Sequence, residues 1–379
     1  MIIFGAATIG EATLHACRAK GVPVECFVDH RITGPVLGTD VLTLQDAVMS
    51  YPHASYYLTS PNIEDMVKPL QGIEWHSCGD VLQGFDVSQY EFKLYTTEHV
   101  KYLIRTALHH HANYLAPERL TVQSVDLMIT EKCSMKCRDC SNLMQYYEHP
   151  ENADMAVMLA MIDGLCDKMD EIYEVRVIGG EPFIHKEIHL VVEALTAQEK
   201  IKKVSIFTNA TIVPREHQWA TFQHEKVRLF ITDYDALSRN IKPLTAELEN
   251  RKIAYVSEKA NGWTDCSSLN HHKRTVLENE RLFQQCCAKN LATIADGKLY
   301  RCPFAANAAK LQAVPDYKED YLVVADASRD QISSYLRSKR YLDTCDHCNG
   351  RNYGDKVITP ALQTKVPLKY VRYAHGAVA

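Results

Sequence analysis

The stretch "SVDLMITEKCSMKCRDCSNLM", residues 124 to 144, places a strand-like run of apolar residues directly ahead of three cysteines in eight positions. Cys133, Cys137 and Cys140 form C-x3-C-x2-C. Such a group serves disulfides, a zinc tetrahedron completed by a fourth ligand, or a metal cluster left one ligand short. Thiolates are soft ligands for zinc, copper(I) and iron–sulfur clusters, and the close spacing suits one compact centre. A closed zinc site needs a fourth donor, for which the loop offers only weak candidates such as Asp139 and His149. Three thiolates on four irons leave one iron open, and open coordination separates a reactive site from a closed structural one.

Downstream, "EVRVIGG", "KVSIFTN", "VRLFITD" and "IAYVSE" read as further strands, separated by helical patterns such as "ADMAVMLAMIDGLCDKMDE" and "KEIHLVVEALTAQEK". Alternating strands and helices predict parallel βα units, closed as a barrel or open as a sheet. In either form the chemistry sits at the carboxyl ends of the strands. The cysteine loop follows the first strand of the series and "GGEP", Gly179, Gly180, Glu181 and Pro182, follows the second. Both fall on one edge.

On these two motifs the sequence resembles the radical S-adenosylmethionine superfamily. The resemblance implies a 4Fe-4S cluster on Cys133, Cys137 and Cys140, whose open iron chelates the amino and carboxylate groups of S-adenosylmethionine. It implies that GGEP meets the cofactor's amino group, with glycines permitting close approach and Glu181 attracting an ammonium. Thr208 and Asn209 in "IFTNA" resemble the segment near the cofactor's ribose or carboxylate. The residue before the third cysteine is commonly aromatic in that family, whereas here it is Asp139.

A second cysteine set follows. Cys287, Gly297 and Cys302 give C-x9-G-x4-C, and Cys345-x2-Cys348 completes four ligands. The spacing resembles the SPASM/Twitch subfamily, and with no cysteine after Cys348 the single-cluster Twitch form fits better. This implies an auxiliary 4Fe-4S cluster on Cys287, Cys302, Cys345 and Cys348, with the adjacent Cys286 an alternative to Cys287. A four-cysteine zinc site is the other reading of the same residues. Cys17, Cys26, Cys78, Cys166 and Cys266 read as buried hydrophobes. In "LATIADGKLYRCP", Asp-Gly marks a hairpin.

At the N-terminus, "MIIFG", "AATIGEATLHACRAKG" and "VPVECFVDH" read strand, glycine turn, helix, strand. Gly5, Gly10 and Asp29 are candidate nucleotide-binding residues on the dinucleotide-binding pattern, whose middle glycine is replaced by Ala7. With "GPVLGTDVLTLQDAV", the segment resembles small Rossmann-like domains that bind nucleotide sugars in polysaccharide enzymes. The run His109-His110-His111 lies in a helical pattern, where successive residues point about 100° apart. It reads as a helix face rather than a metal site.

The expected fold class is α/β: a partial (β/α) barrel with an N-terminal Rossmann-like domain and a small C-terminal Twitch-type auxiliary iron–sulfur region. The expected divisions are residues 1–85, a helical linker at 86–122, the barrel at 123–275, the auxiliary region at 276–352 and a tail at 353–379. In 379 residues, 46% apolar and 23% charged with net charge −5, nothing calls for disorder or a nucleic-acid partner. Thirteen cysteines without an export signal point to a reducing, cytoplasmic setting. No apolar run is long enough for a membrane span.

The resemblance implies a 5'-deoxyadenosyl radical that abstracts hydrogen, with electrons from an external donor such as flavodoxin or ferredoxin. The expected substrate is a small molecule, a nucleotide-linked or polysaccharide-precursor sugar that is oxidised or epimerised. Peptide or protein modification and a non-catalytic metal-binding scaffold are the alternatives.

Overall fold

The computed structural model describes residues 1–352 and 355–373. Two compact units divide the chain, Met1–Arg119 and Leu120–Ala379. In the first, strands β1 (Ile2–Phe4), β2 (Cys26–Val28), β3 (Val41–Leu42), β4 (Tyr56–Leu58) and β5 (Trp75–Ser77) form one parallel sheet in the order β3-β2-β1-β4-β5. This is the strand order of the doubly wound nucleotide-binding sheet, with the chain reversing direction between β1 and β4.

The expected linker at 86–122 is not a linker. Its helix, Thr97–Tyr114, buries Val100, Ile104 and Ala107 against Ile9, Ala12 and Cys17, so it is a wall of the first unit. The histidine run belongs to that wall. His111 is buried, its Nδ1 2.7 Å from the Ser77 hydroxyl and its Nε2 2.8 Å from the Ser60 carbonyl. Burial lowers its pKa.

The second unit carries the five expected strands as β6 (Thr121–Thr130), β7 (Glu171–Gly179), β8 (Ile201–Thr208), β9 (Val227–Asp233) and β10 (Tyr255–Lys259). They pair in parallel and in chain order, which is the progression of a partial barrel. Alternation explains both faces. Val125, Leu127 and Ile129 of β6 and Val175 and Val177 of β7 are buried in one core with Met158, Ile162 and Leu165 of the helix Met155–Lys168. Each such side chain contributes about 1.5 to 3 kcal/mol by burial. The opposite face is polar near its middle: Asp126, Arg176 and Ser205 are register neighbours, and Arg176 Nε lies 2.5 Å from the almost fully buried Asp126 carboxylate.

After the short β11 (Trp263–Thr264), the strand β12 (Leu291–Ala295) pairs in parallel with β6 on its free edge. It then turns into β13 (Lys298–Tyr300), which pairs with β14 (Tyr321–Val323). The turn is Asp296-Gly297, both with positive φ (+49° and +79°), as a two-residue hairpin of right-handed twist requires. The region from 276 is therefore continuous with the barrel sheet rather than a separate division.

The tail is also anchored. β15 (Val357–Ile358) pairs with β11, and Gln363 bridges to Cys137. Residues 353–354 and 374–379 of the expected tail lie outside the described residues.

Candidate metal centre

The cysteine loop leaves β6 at Thr130 and is locked to the end of β7. Gly180 N–H donates to Thr130 O at 2.9 Å and Glu181 N–H to Lys132 O at 2.8 Å. This explains both glycines. A Cβ on Gly179 (φ +154°) would stand 2.2 Å from Thr130 O, and one on Gly180 would stand 2.2 Å from Lys132 O and 2.8 Å from Cys133 Cβ. The close approach they permit is to the loop's own backbone. Lys136 (φ +49°) and Leu143 (φ +60°) turn the loop through the left-handed region without glycine, at a cost of order 1 kcal/mol each.

The structure gives Glu181 a different task from greeting an ammonium. Its side chain is fully buried, and it accepts from Thr208 Oγ1 (2.8 Å), Asn209 N–H (2.9 Å) and Phe183 N–H (3.2 Å). It thus ties the end of β7 to the end of β8. Burial pushes its pKa up to about 7 against these three donors. Pro182 opens the short 3-10 turn Pro182–Ile184 behind it. Asn209 continues the chain of contacts: its Oδ1 accepts from Thr211 N–H at 3.0 Å, and its Nδ2 lies 3.9 Å from Cys133 Sγ.

Cys133, Cys137 and Cys140 share one small apolar cluster with Met135, Tyr234, Trp263 and Ala361. Burial and then the neighbouring Cys140 and Cys133 push Cys137 up to about 12, and burial pushes Cys140 up to about 11. Three crowded thiols in such a place hold their protons until a metal replaces them, which is the donor set an iron–sulfur cluster needs. Among the described residues no three His, Cys, Asp or Glu side chains converge on one ion. Cluster thiolates bind separate irons, so such convergence is not required of them. Asp139 does not join the set; Arg138 holds its carboxylate at 2.9 to 3.2 Å.

A strap from the C-terminal segment crosses this loop. Arg138 N–H donates to Leu362 O (2.6 Å), Thr364 N–H to Lys136 O (2.8 Å), and Gln363 Nε2 to Met135 O (2.7 Å). Neither the strap nor the Asp126–Arg176 pair was singled out by sequence pattern. A charged residue at alternate positions of two adjacent apolar strands was the available signal for the pair; the strap leaves none.

In the second set, Cys302, Cys345 and Cys348 interact with one another. The Cys286 and Cys287 side chains lie against one another, with Cys302 also near Cys286 and with Arg351, Arg176 and Cys266 near Cys287. Cys266 is buried near Cys348, whose thiol lies 3.6 Å from Cys266 O. In the first unit, Gly5 (φ +105°) and Gly10 make the tight turn after β1, and a Cβ on Gly10 would stand 2.0 Å from Gly5 O. Asp29 is spent on that turn: it accepts from Ala6 N–H (2.9 Å), Arg31 N–H (2.8 Å) and Ile32 N–H (3.1 Å). Burial opposes its charge, but these donors hold its pKa below the usual value.

Among curated proteins the chain is 26% identical over 137 residues to the GTP 3',8-cyclase of Mannheimia succiniciproducens and 30% identical over 96 residues to that of Haemophilus ducreyi. The matches cover 35% and 24% of this chain. This chain is similar over that part of its length to these two radical S-adenosylmethionine enzymes. It spans 40% and 28% of the length of those two relatives. Among solved structures, BtrN in complex with AdoMet and 2-DOIA is 15% identical with a TM-score of 0.41, over 62% of this chain and 98% of that one. Streptococcus suis SuiB bound to S-adenosylmethionine is 13% identical with a TM-score of 0.33, over 66% and 72%. No protein-family model matches the chain. Among the described residues no helix is long and apolar enough to cross a membrane.

Proposed function

We propose that the chain is a radical S-adenosylmethionine enzyme that abstracts hydrogen from a nucleotide-linked or polysaccharide-precursor sugar and thereby oxidises or epimerises it. The observation that carries the reading is the meeting of Cys133, Cys137 and Cys140 with Gly179, Gly180, Thr208 and Asn209 at one edge of a parallel sheet. When bound there, a 4Fe-4S cluster and S-adenosylmethionine supply one-electron cleavage of the cofactor to a 5'-deoxyadenosyl radical.

The chain's own residues hold the site in shape. Glu181 fixes the ends of β7 and β8, the strap Leu362–Thr364 covers the loop, and Tyr234 packed edge-on against Trp263 (5.9 Å) helps keep water from it. Cys286 or Cys287 with Cys302, Cys345 and Cys348 would hold an auxiliary 4Fe-4S cluster. The sugar-nucleotide part of the reading is supported by the first unit: its strand order, and the Gly5 turn at the carboxyl end of β1. Asp29, engaged by backbone N–H groups, shapes that turn rather than standing free for a ribose.

The test is anaerobic incubation of the reconstituted, reduced chain with S-adenosylmethionine and a panel of nucleotide sugars, with 5'-deoxyadenosine as readout. Stimulation by one sugar nucleotide is the expected result. No cleavage under any condition sinks the radical reading and leaves a metal-binding scaffold. Cleavage stimulated by a peptide and by no sugar sinks the substrate assignment alone.

A further inference from the structure

The second cysteine set offers five thiols in four places, because Cys286 and Cys287 are adjacent. The structure distinguishes them. Cys286 caps the helix Val276–Gln285 at its carboxyl end, and its sulfur accepts Ala288 N–H at 3.4 Å. Cys302 is the N-cap of the helix Pro303–Lys310, and its sulfur accepts Ala305 N–H at 3.3 Å. Cys348 accepts Gly350 N–H at 3.3 Å. In each case an N–H two or three residues downstream is aimed at the sulfur, as N–H groups are aimed at the thiolates of iron–sulfur sites.

The first set shows a similar arrangement at two of its three cysteines. The N–H groups of Met135 and Lys136 lie near the Cys133 sulfur and those of Met144 and Asn142 near the Cys140 sulfur, whereas Cys137 has only its own N–H beside it. Among the described residues Cys287 shows no downstream donor of this kind, a property it shares with Cys137 and Cys345, so what separates it from Cys286 is its surroundings. Its own N–H donates to Arg351 O at 3.3 Å, and its sulfur lies toward Arg176 and Arg351, on the side of the Asp126–Arg176 pair. Cys286, by contrast, lies toward Cys302, which in turn neighbours Cys345. The contact between the adjacent sulfurs is the one that a metal on Cys286 would replace.

We infer that Cys286, Cys302, Cys345 and Cys348 are the four ligands of the auxiliary cluster, and that Cys287 remains a non-ligand thiol beside Arg176 and Arg351. This rests on the reading, given above, that the second set binds iron and sulfide.

The experiment uses the full chain with its loop cysteines replaced (C133A/C137A/C140A), reconstituted anaerobically with iron and sulfide. This background should retain about four irons per chain. Adding Cys287→Ala should leave the iron, the sulfide and the spectrum of the reduced cluster in place. Adding Cys286→Ala should drop iron to below about one per chain, with far-UV circular dichroism recording whether the fold is kept. A second measurement needs no variant in this region: in the reconstituted wild-type chain, iodoacetamide should label Cys287 and spare Cys286 until a chelator strips the iron, as read by peptide mass spectrometry.

Loss of iron on Cys287→Ala with retention on Cys286→Ala, or labelling of Cys286 ahead of Cys287, overturns the inference. Absence of iron from the background itself, or zinc in its place, overturns the reading on which the inference rests.

Discussion

The two cysteine sets are built in opposite ways. The first takes three thiols from a single loop, and the edge that shapes the loop is made by neighbouring strands of one parallel sheet. The second takes its thiols from three places between residues 286 and 348: a helix end, a helix start and a short turn. Chain closure over such lengths costs little more than over short ones, since each doubling adds only about 0.6 kcal/mol. What the second set needs is something to hold its turn, and Arg274 supplies it. Its guanidinium donates to Cys345 O (3.0 Å) and Cys348 O (2.9 Å), while its N–H donates to Asp346 Oδ1 (2.7 Å). One set is an attribute of the sheet and the other an assembly of separate pieces, so the two should fail independently.

The sharpest way to break that comparison is to remove the loop cysteines. C133A/C137A/C140A should lose about half of the iron and all cofactor cleavage, while the electron paramagnetic resonance signal of the remaining cluster persists. Loss of both signals would show that the sets are coupled. Next in size is Gly180→Ala. Its methyl would meet Lys132 O at 2.2 Å, and overpacking against backbone should cost upward of about 3 kcal/mol in denaturant unfolding. Iron should be lost from the loop first, because the displaced atoms include Cys133 Cβ.

The same contrast governs what could be read in advance. The cysteine loop and GGEP were legible because each is a short contiguous run at a strand end, and the five strands were legible from alternation such as that in "EVRVIGG". The Asp-Gly hairpin was legible for the same local reason. That β12 adds to the free edge of β6 was not, since nothing in "LATIA" names its partner. The helix Thr97–Tyr114 was misread as a linker because an amphipathic stripe reveals that a face is buried but not where. Spacing alone leaves Cys286 and Cys287 as alternatives, because a count cannot see which sulfur a neighbouring N–H faces.

Glu181 tests whether the loop edge behaves as part of the sheet. Its pKa is raised by burial from 4.5 to about 7. Between those values the folded chain binds more protons than the unfolded one, so stability falls as pH rises from about 4.5 and levels off above about 7. For the metal-free chain this one group should contribute a decline of roughly 3 kcal/mol across that window. Denaturant midpoints measured at pH 5 and pH 7.5 should show it. In Glu181→Gln the slope should be missing even though the variant is less stable at every pH, because the Gln amide cannot accept from the Asn209 and Phe183 N–H groups together with Thr208.

The smallest effect should come from the strap. Gln363→Ala deletes one side-chain hydrogen bond, from Nε2 to Met135 O, and leaves the backbone bonds of Leu362 and Thr364 to the loop intact. A bond of this kind is worth about 1 kcal/mol, so the global midpoint should scarcely move. The local consequence differs, because Met135 lies between the first two loop cysteines and its backbone is held from the C-terminal side by that amide. Hydrogen exchange at residues 133–140 should speed up several-fold, and the loop's iron should bleach faster in air than the second set's. Equal bleaching at both sets would mean that the strap is a passenger, and that the sheet edge alone protects the loop.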